Sequence, residues 1–301
     1  MNPPTPDSNR RGVAAMASAM ASLACSDALV KVVSESLPAA QLIFVRGLIS
    51  IALLLAVIWA TGGARHLPRL LDGRVLLRAA VDGVATIAYL LSLFHLPLAN
   101  TTAINMAAPL FVTLYAIALF GERVAARRWL AVGTGFLGVL LVVQPRGEGF
   151  NAWALLCVLA SFLNASRDVL TRTIARGIPV LVITLGTSIA VTLLAGGWSL
   201  MQPWHPLAWP PLALLAGAAA ILSAGNFLIA AAMRHGEMSV VAPFRYSGLL
   251  VALALGYLVW GNVPNAMALA GIVLLVAAGL ALLRGARTRV DVPRVESPRG
   301  S

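Results

Sequence analysis

Long apolar stretches follow one another along most of the chain, and short polar or arginine-bearing segments separate them. A helix that crosses a bilayer needs about 20 predominantly apolar residues, and these stretches reach that length. They are apolar on all sides, whereas a surface helix of a soluble protein keeps one polar face. The pattern predicts an all-α integral membrane protein with ten transmembrane helices, called spans 1 to 10, over residues 13–33, 39–60, 75–95, 98–120, 126–144, 151–173, 178–198, 209–233, 238–260 and 265–284.

The arginines between the spans predict the orientation of the chain. Cytoplasmic segments of membrane proteins carry an excess of Lys and Arg. With the amino terminus in the cytoplasm, nearly all arginines between spans lie inside, and the outer segments hold Lys31 and Arg146. Both termini are then cytoplasmic: residues 1–12 form a polar, disordered segment, and residues 285–301 form a basic tail.

Composition and charge narrow the class of protein further. Apolar residues make up 59% and charged residues 11% of the chain, whereas soluble domains are roughly 25% charged. The net charge of +11 does not indicate nucleic-acid binding, because no basic stretch is interleaved with stacking aromatic residues. Arginine is much commoner than lysine, beside abundant Ala, Leu and Gly, so we expect a bacterial inner (plasma) membrane protein.

The second half of the chain repeats features of the first at a nearly constant spacing. The recurring markers are His95 and His235, Gly121 and Gly261, Pro38 and Pro179, and the charged pairs Asp27/Lys31 and Asp168/Arg172. Each half, residues 13–148 and residues 149–284, holds five spans. Because five is an odd number, the second half begins on the opposite side of the membrane and is inverted relative to the first. Inverted repeats are typical of alternating-access transporters, whose site lies near the midplane. The alternative is chance similarity between Ala- and Leu-rich helices.

The order and spacing of several motifs resemble the EamA-type families of the drug/metabolite transporter superfamily. The motifs are Lys31, Pro38, Phe44-Val-Arg46, Pro109, Gly121-Glu122, the glycine-spaced VGTGFLGVLLV of span 5, Pro179, Pro243-Phe-Arg-Tyr246 and the segment from Gly256 to Gly261. One departure is Gly261-Asn262 where the first half has Gly121-Glu122. The resemblance implies a secondary carrier of small metabolites, with spans 1, 3, 4, 6, 8 and 9 around a central cavity.

Charged residues inside the spans are the first candidates for a substrate site, because charges in a bilayer usually face a cavity or a partner. Arg245 in span 9 is a candidate clamp for a substrate carboxylate, or else an arginine that extends to the interface. Asp82 in span 3 could hold a substrate ammonium or a coupling proton, or pair with Arg78 one helical turn earlier. For Arg46 in span 2 we expect a structural pairing or interfacial role.

Uncharged polar residues inside the spans complete the predicted substrate site. These residues are Tyr89, Asn105, Asn164, Asn226 and Tyr246. Their alternative role is hydrogen bonding between helices. The i,i+4 pairs Asp27/Lys31 and Asp168/Arg172 are predicted to form a gate or an interface, or simply to stabilise their own helices. Cys25 and Cys157 lie in apolar runs and are expected to be packing residues.

The sequence predicts a transporter and not an enzyme. It lacks His-Glu-x-x-His, Gly-x-Ser-x-Gly and a phosphate loop, and its short loops disfavour a receptor or scaffold. We expect a small-molecule substrate, a lipid bilayer, no nucleic acid, no cofactor and no metal; a homodimer is left open. The first choice is an amino-acid exporter of broad specificity. The alternative is an uptake carrier for a vitamin or nucleoside-like compound, such as riboflavin or S-adenosylmethionine.

Overall fold

A computed structural model describes residues 6–120, 126–144, 152–171, 173–174, 177–235 and 238–285. This part of the chain is helical and contains no strand. The helices are α1 (Pro6–Val33), α2 (Ala39–Ala60), α3 (Gly73–His95), α4 (Leu98–Asn105), α5 (Ala108–Phe120), α6 (Ala126–Val143), α7 (Ala152–Thr171), α8 (Val180–Ser199), α9 (Trp209–His235), α10 (Met238–Val241), α11 (Ser247–Trp260) and α12 (Ala266–Gly285). Two 3₁₀ segments cover Gly63–Leu71 and Ala242–Tyr246.

Most of these helices could cross a membrane. Within the described residues, eight segments are long and apolar enough: Ser8–Val33, Ala39–Ala60, Gly73–His95, Leu98–Ala118, Ala152–Thr171, Val180–Ser199, Trp209–Ile229 and Ala242–Trp260. Trp129–Val143 and Ala266–Leu282 are apolar but shorter. Large apolar side chains such as Leu258 and Phe227, 75% and 74% exposed, cover the outside of the bundle. In a bilayer these side chains contact lipid, so their exposure carries no penalty.

Two predicted spans are broken, which corrects the prediction of continuous helices over residues 98–120 and 238–260. Between α4 and α5 the chain leaves the helix at Met106 and Ala107. A proline removes one backbone donor and its ring clashes with the carbonyl four residues earlier, here Pro109 against Asn105. In the second half Pro243 lies in the 3₁₀ segment between α10 and α11. Each break lies within a predicted span, where a backbone group that leaves the helical pattern needs another partner.

Helix ends differ from the prediction mainly at polar residues. Helix α1 begins at Pro6, not at residue 13, because apolarity marks the lipid-spanning part of a helix whereas backbone hydrogen bonds continue into polar residues. Helix α3 is capped by Asp72, whose Oδ1 accepts from the Arg74 amide at 2.9 Å. Helix α11 ends at Trp260 and is followed by Gly261, whose φ of +66° is a conformation that glycine adopts without strain.

The two halves of the chain interlock. Helix α1 packs on α9, α3 on α7, α2 on α8 and α6 on α12, so each pair joins one helix from each half. Small residues permit the close approaches. A Cβ added at Gly225 of α9 would lie 3.3 Å from the Ala19 carbonyl oxygen of α1, and one at Gly138 of α6 would lie 2.7 Å from the Gly271 carbonyl oxygen of α12. The buried core is therefore shared by both halves.

Candidate functional site

Asp27 and Tyr89 form the centre of a polar cluster inside the bundle. The Tyr89 hydroxyl on α3 donates to Asp27 Oδ2 on α1 at 2.7 Å, and Thr102 of α4 lies near Tyr89. Asp27 and Tyr89 are only partly buried, although both lie well inside their helices. An acidic group of α1 thus lies beside α3 and α4 in the interior of the bundle.

Arg46 of α2 supplies a positive charge beside this cluster. It lies close enough to Asp27 and Tyr89 for its charge to act on both. Only 8% of Arg46 is exposed, and its buried Nε–H has no hydrogen-bond partner. Buried donors are almost always paired, so an unpaired guanidinium N–H beside a partly accessible carboxylate is an unusual feature. We call Asp27, Arg46 and Tyr89 the central cluster.

The break between α4 and α5 is stabilised from α7. Ser161 Oγ donates to the carbonyl oxygens of Ile104 and Asn105, at 2.9 and 3.0 Å. Asn164 Nδ2 donates to Asn105 Oδ1 at 2.9 Å. A carbonyl released at membrane depth needs such a partner. Asn105 and Asn164, both predicted to be site residues, are therefore brought into contact with each other.

Asp82 is the centre of a separate ionic network that joins α3, α7 and α8. Its Oδ1 lies 3.0 Å from Arg167 Nη1, and its Oδ2 lies 3.2 Å from Arg78 Nη1. The Thr187 hydroxyl also donates to Oδ2 at 2.8 Å, and Arg167 contacts Asp168 at 2.9 Å. Both oxygens of Asp82 are thus used by groups of the chain itself. Its pairing with Arg78 is the alternative that the sequence left open.

Lys31 caps the end of α3 and lies at a surface pocket. Its Nζ donates to the carbonyl oxygens of Leu93 and Leu96, both at 2.6 Å, and lies 5.7 Å from the centre of the Trp260 ring. Trp260 in turn donates to Glu35 at 2.8 Å. The pocket, called the mouth pocket here, has a volume of about 350 Å³ and is lined by Lys31, Ser34, Glu35, Phe94, His95, Leu96, Pro97, Trp260 and Asn262.

The remaining predicted site residues lie elsewhere. Asn226 on α9 and Arg245 in the second 3₁₀ segment are exposed. The ring of Tyr246 packs against Gly279 of α12 and fills the space that a side chain at position 279 would occupy. Asp27 bonds Tyr89 and Lys31 bonds carbonyl oxygens, so each member of that predicted pair has another partner. Arg172 lies outside the described residues.

Several contacts gave no usable signal in the sequence. Ser161, Thr102 and Thr187 are small hydroxyl residues among many in apolar helices, and nothing in their spacing separates them from packing residues. Arg167 precedes Asp168 directly, yet the repeat drew attention to Arg172 instead. Arg46 was noticed as an intramembrane charge, but its unpaired Nε–H depends on the rotation of α2, which the sequence does not reveal.

Comparisons with known proteins agree with this architecture. The sequence model of the EamA-like transporter family matches residues 10–144 and again residues 151–284. The pseudopaline exporter CntI of Pseudomonas aeruginosa is 29% identical over 265 residues, covering 86% of this chain and 90% of that protein. The riboflavin transporter of Rhizobium johnstonii is 27% identical, over 76% and 73%. The S-adenosylmethionine uptake transporter of Rickettsia prowazekii is 25% identical, over 62% and 63%.

A solved structure shares the fold. A crystal structure with 18% sequence identity superposes with a TM-score of 0.64 over 94% of this chain and 100% of that chain. The matched family and its named relatives confirm the predicted resemblance and the prediction that the chain is not an enzyme. The protein belongs to the EamA-like transporter family and is a multi-pass membrane transporter of small molecules.

Proposed function

We propose that this transporter exports amino acids and similar small polar metabolites across the bacterial inner membrane by alternating access. The observation that carries the proposal is the central cluster, in which the partly buried Asp27 carboxylate lies within electrostatic range of the buried Arg46 guanidinium. An α-amino acid carries a carboxylate and an ammonium group on the same carbon atom. A site of this kind matches both charges and leaves the side chain of the substrate free to vary.

The proposal includes ten spans in two inverted repeats, with both termini in the cytoplasm. The pairing of α1 with α9 and of α3 with α7 supports it, because the repeat relates α1 to α7 and α3 to α9. Under this topology the mouth pocket opens to the outside, and the ionic network around Asp82 lies towards the cytoplasm. One side of the membrane is then open while ion pairs join the helices on the other.

Cysteine labelling tests the inversion directly. Ser36 and Gly177 are exposed, and they occupy matching loops before the second helix of each repeat. Ser36→Cys and Gly177→Cys, each in a Cys25→Ser/Cys157→Ser background, should react with a membrane-impermeant maleimide from opposite sides of the membrane. Labelling of both from the same side would refute the inverted repeat and would remove the structural basis for alternating access.

The named relatives include an exporter and also leave one further candidate. The exporter of pseudopaline matches 86% of this chain. The riboflavin and S-adenosylmethionine transporters support uptake of a larger, partly aromatic metabolite as a second candidate function. The opposite charges of Asp27 and Arg46 support the amino-acid substrate, because they match its ammonium and carboxylate groups.

Counterflow in proteoliposomes distinguishes the two candidates. Vesicles containing the purified protein are preloaded with one unlabelled amino acid, riboflavin or S-adenosylmethionine, and labelled leucine, labelled riboflavin or labelled S-adenosylmethionine is added outside in separate assays. Accumulation of label against several amino-acid preloads is expected. Exchange with riboflavin or S-adenosylmethionine alone would replace the amino-acid proposal with the second candidate, and empty vesicles give the background.

A further inference from the structure

We infer that Arg46 is the anion anchor of this transporter: its guanidinium binds the carboxylate of the substrate, and the nearby Asp27, held by Tyr89, binds the ammonium group. The inference rests on the proposed function for the position of the site and adds which charge recognises which group. It differs from the prediction made from the sequence, in which Arg245 was the candidate carboxylate clamp and Arg46 had a structural pairing or interfacial role.

The unpaired donor on Arg46 is the first argument. A guanidinium has five N–H donors in a fixed plane, and they suit a carboxylate bidentately. Arg46 is 8% exposed, so water contributes little to satisfying it. Its Nε–H has no hydrogen-bond partner. An incoming carboxylate would supply the acceptor that the empty site does not provide.

The state of Asp27 is the second argument. Asp27 accepts the Tyr89 hydroxyl at 2.7 Å and remains partly exposed. When a substrate carboxylate takes over Arg46, Asp27 keeps this hydrogen bond and is not left unpartnered. The Oδ1 atom of Asp27 can then accept from the ammonium group of the same substrate. The carboxylate and the ammonium of an amino acid thus pair with Arg46 and Asp27, respectively, and binding requires no proton transfer.

The other intramembrane cations among the described residues already have partners. Arg78 and Arg167 contact Asp82. Lys31 donates to two backbone carbonyl oxygens. Arg245 is exposed, so water or lipid headgroups can solvate it. Arg46 therefore combines burial, an unpaired Nε–H and a nearby, partly exposed acidic group.

Ligand-dependent thermal unfolding of the full chain in detergent tests the inference. The probes are L-leucine and L-phenylalanine, with leucinamide and phenylalaninamide as matched compounds that lack the carboxylate. The variants are Arg46→Gln and Arg46→Lys, and Arg127→Gln is the control at an exposed arginine. In the wild type, the amides should stabilise the protein with an apparent affinity about tenfold to a hundredfold weaker than the acids.

The variants sharpen the expected result. Arg46→Gln should abolish the preference for the acid over the amide, and Arg46→Lys should weaken it by about tenfold because a single ammonium does not reproduce the guanidinium fork. Arg127→Gln should behave as wild type. If Arg46→Gln does not fold, the acid and amide pairs on the wild type and on Arg46→Lys still decide the question.

Three outcomes overturn the inference: equal stabilisation by acids and amides, an unchanged preference in Arg46→Gln, or no stabilisation by either acid. These outcomes are separable from failure of the proposed function. Counterflow of amino acids with equal counterflow of their amides would keep the proposed export and reject the anchor. Carboxylate-dependent stabilisation without amino-acid counterflow would keep the anchor and reject amino acids as the transported substrates.

Discussion

Gly138 of α6 and Gly271 of α12 face each other so closely that neither position has room for a side chain. A Cβ on Gly138 would lie 2.7 Å from the Gly271 carbonyl oxygen, and one on Gly271 would lie 2.6 Å from the Gly138 carbonyl oxygen. Both obstacles are backbone atoms, so a side-chain rotation cannot relieve the clash.

Alanine at either position should therefore separate α6 from α12. We expect Gly138→Ala and Gly271→Ala each to lower stability by about 1–3 kcal/mol, as overpacking of a close contact does. The measurement is the melting temperature in detergent. Gly133→Ala on the same α6 is the control, because a Cβ there has nothing within 4 Å. Equal melting temperatures for the three variants would contradict the close contact.

Asp82 and Asp168 allow a comparison of a buried and an exposed acid in one ionic network. The Asp82 side chain is 7% exposed and that of Asp168 is 51% exposed. Asp82→Asn leaves Arg78 and Arg167 without their shared counter-ion, which should cost about 3 kcal/mol. Asp168→Asn removes an exposed pair and should cost about 0–1 kcal/mol. Similar melting temperatures for both variants would show that the network around Asp82 does not form.

Ser161 should stabilise the break between α4 and α5. Ser161→Ala removes the donor to two carbonyl oxygens inside the bundle, and the expected loss of stability is about 1–2 kcal/mol. Ser223→Ala is the control, since the Ser223 hydroxyl donates to Ala219 within its own helix. Thermal unfolding in detergent measures both. A larger effect at Ser223 than at Ser161 would contradict the role of α7 in holding the break.

The Asn105–Asn164 hydrogen bond can be measured by a double-mutant cycle. The single variants Asn105→Ala and Asn164→Ala and the double variant should give a coupling energy of about 0.6 kcal/mol, the average for such bonds within a membrane. Unfolding in a denaturing detergent supplies the free energies. A coupling energy of zero would mean that the two side chains do not bond each other in the folded protein.

Tyr89 should affect substrate binding more than stability. Tyr89→Phe keeps the ring and removes the hydroxyl that holds Asp27. Without it Asp27 is free to pair with Arg46, so we expect an apparent affinity for leucine about tenfold weaker in counterflow. Tyr257→Phe is the control, because Tyr257 is 61% exposed. Unchanged affinity in Tyr89→Phe would separate Tyr89 from the binding site.

Much of the helical architecture was predictable because lipid demands long apolar runs. The predicted segments 39–60 and 98–120 begin at the same residues as α2 and α4. The breaks in spans 4 and 9 were missed, although Pro109 and Pro243 were both visible in the sequence. A proline alone does not reveal whether a helix bends or stops, because this depends on partners such as Ser161 that satisfy the released carbonyls.

The candidate site was less predictable, since a sequence gives the depth of a residue in the membrane more readily than its direction around the helix axis. Tyr89, Asn105 and Asn164 are placed by helices that the family resemblance assigned to the cavity, and the structure gives them polar partners. Asp82 and Arg245 were predicted at similar depths in the membrane, yet Asp82 lies within an ionic network and Arg245 is exposed. The predicted role of each in substrate binding stays a prediction.

The contact between α1 and α9 has a consequence for biosynthesis. Gly225 of α9 packs against Ala19 of α1, although most of the chain is synthesised between these two helices. The first helix to enter the membrane must therefore wait beside lipid, with its small-residue face uncovered, until the later helix arrives. If synthesis ended after α6, the released fragment would leave interhelical faces uncovered, which membrane quality control can recognise. For this reason we expect the folding yield in cells to depend on the speed with which the second half is inserted.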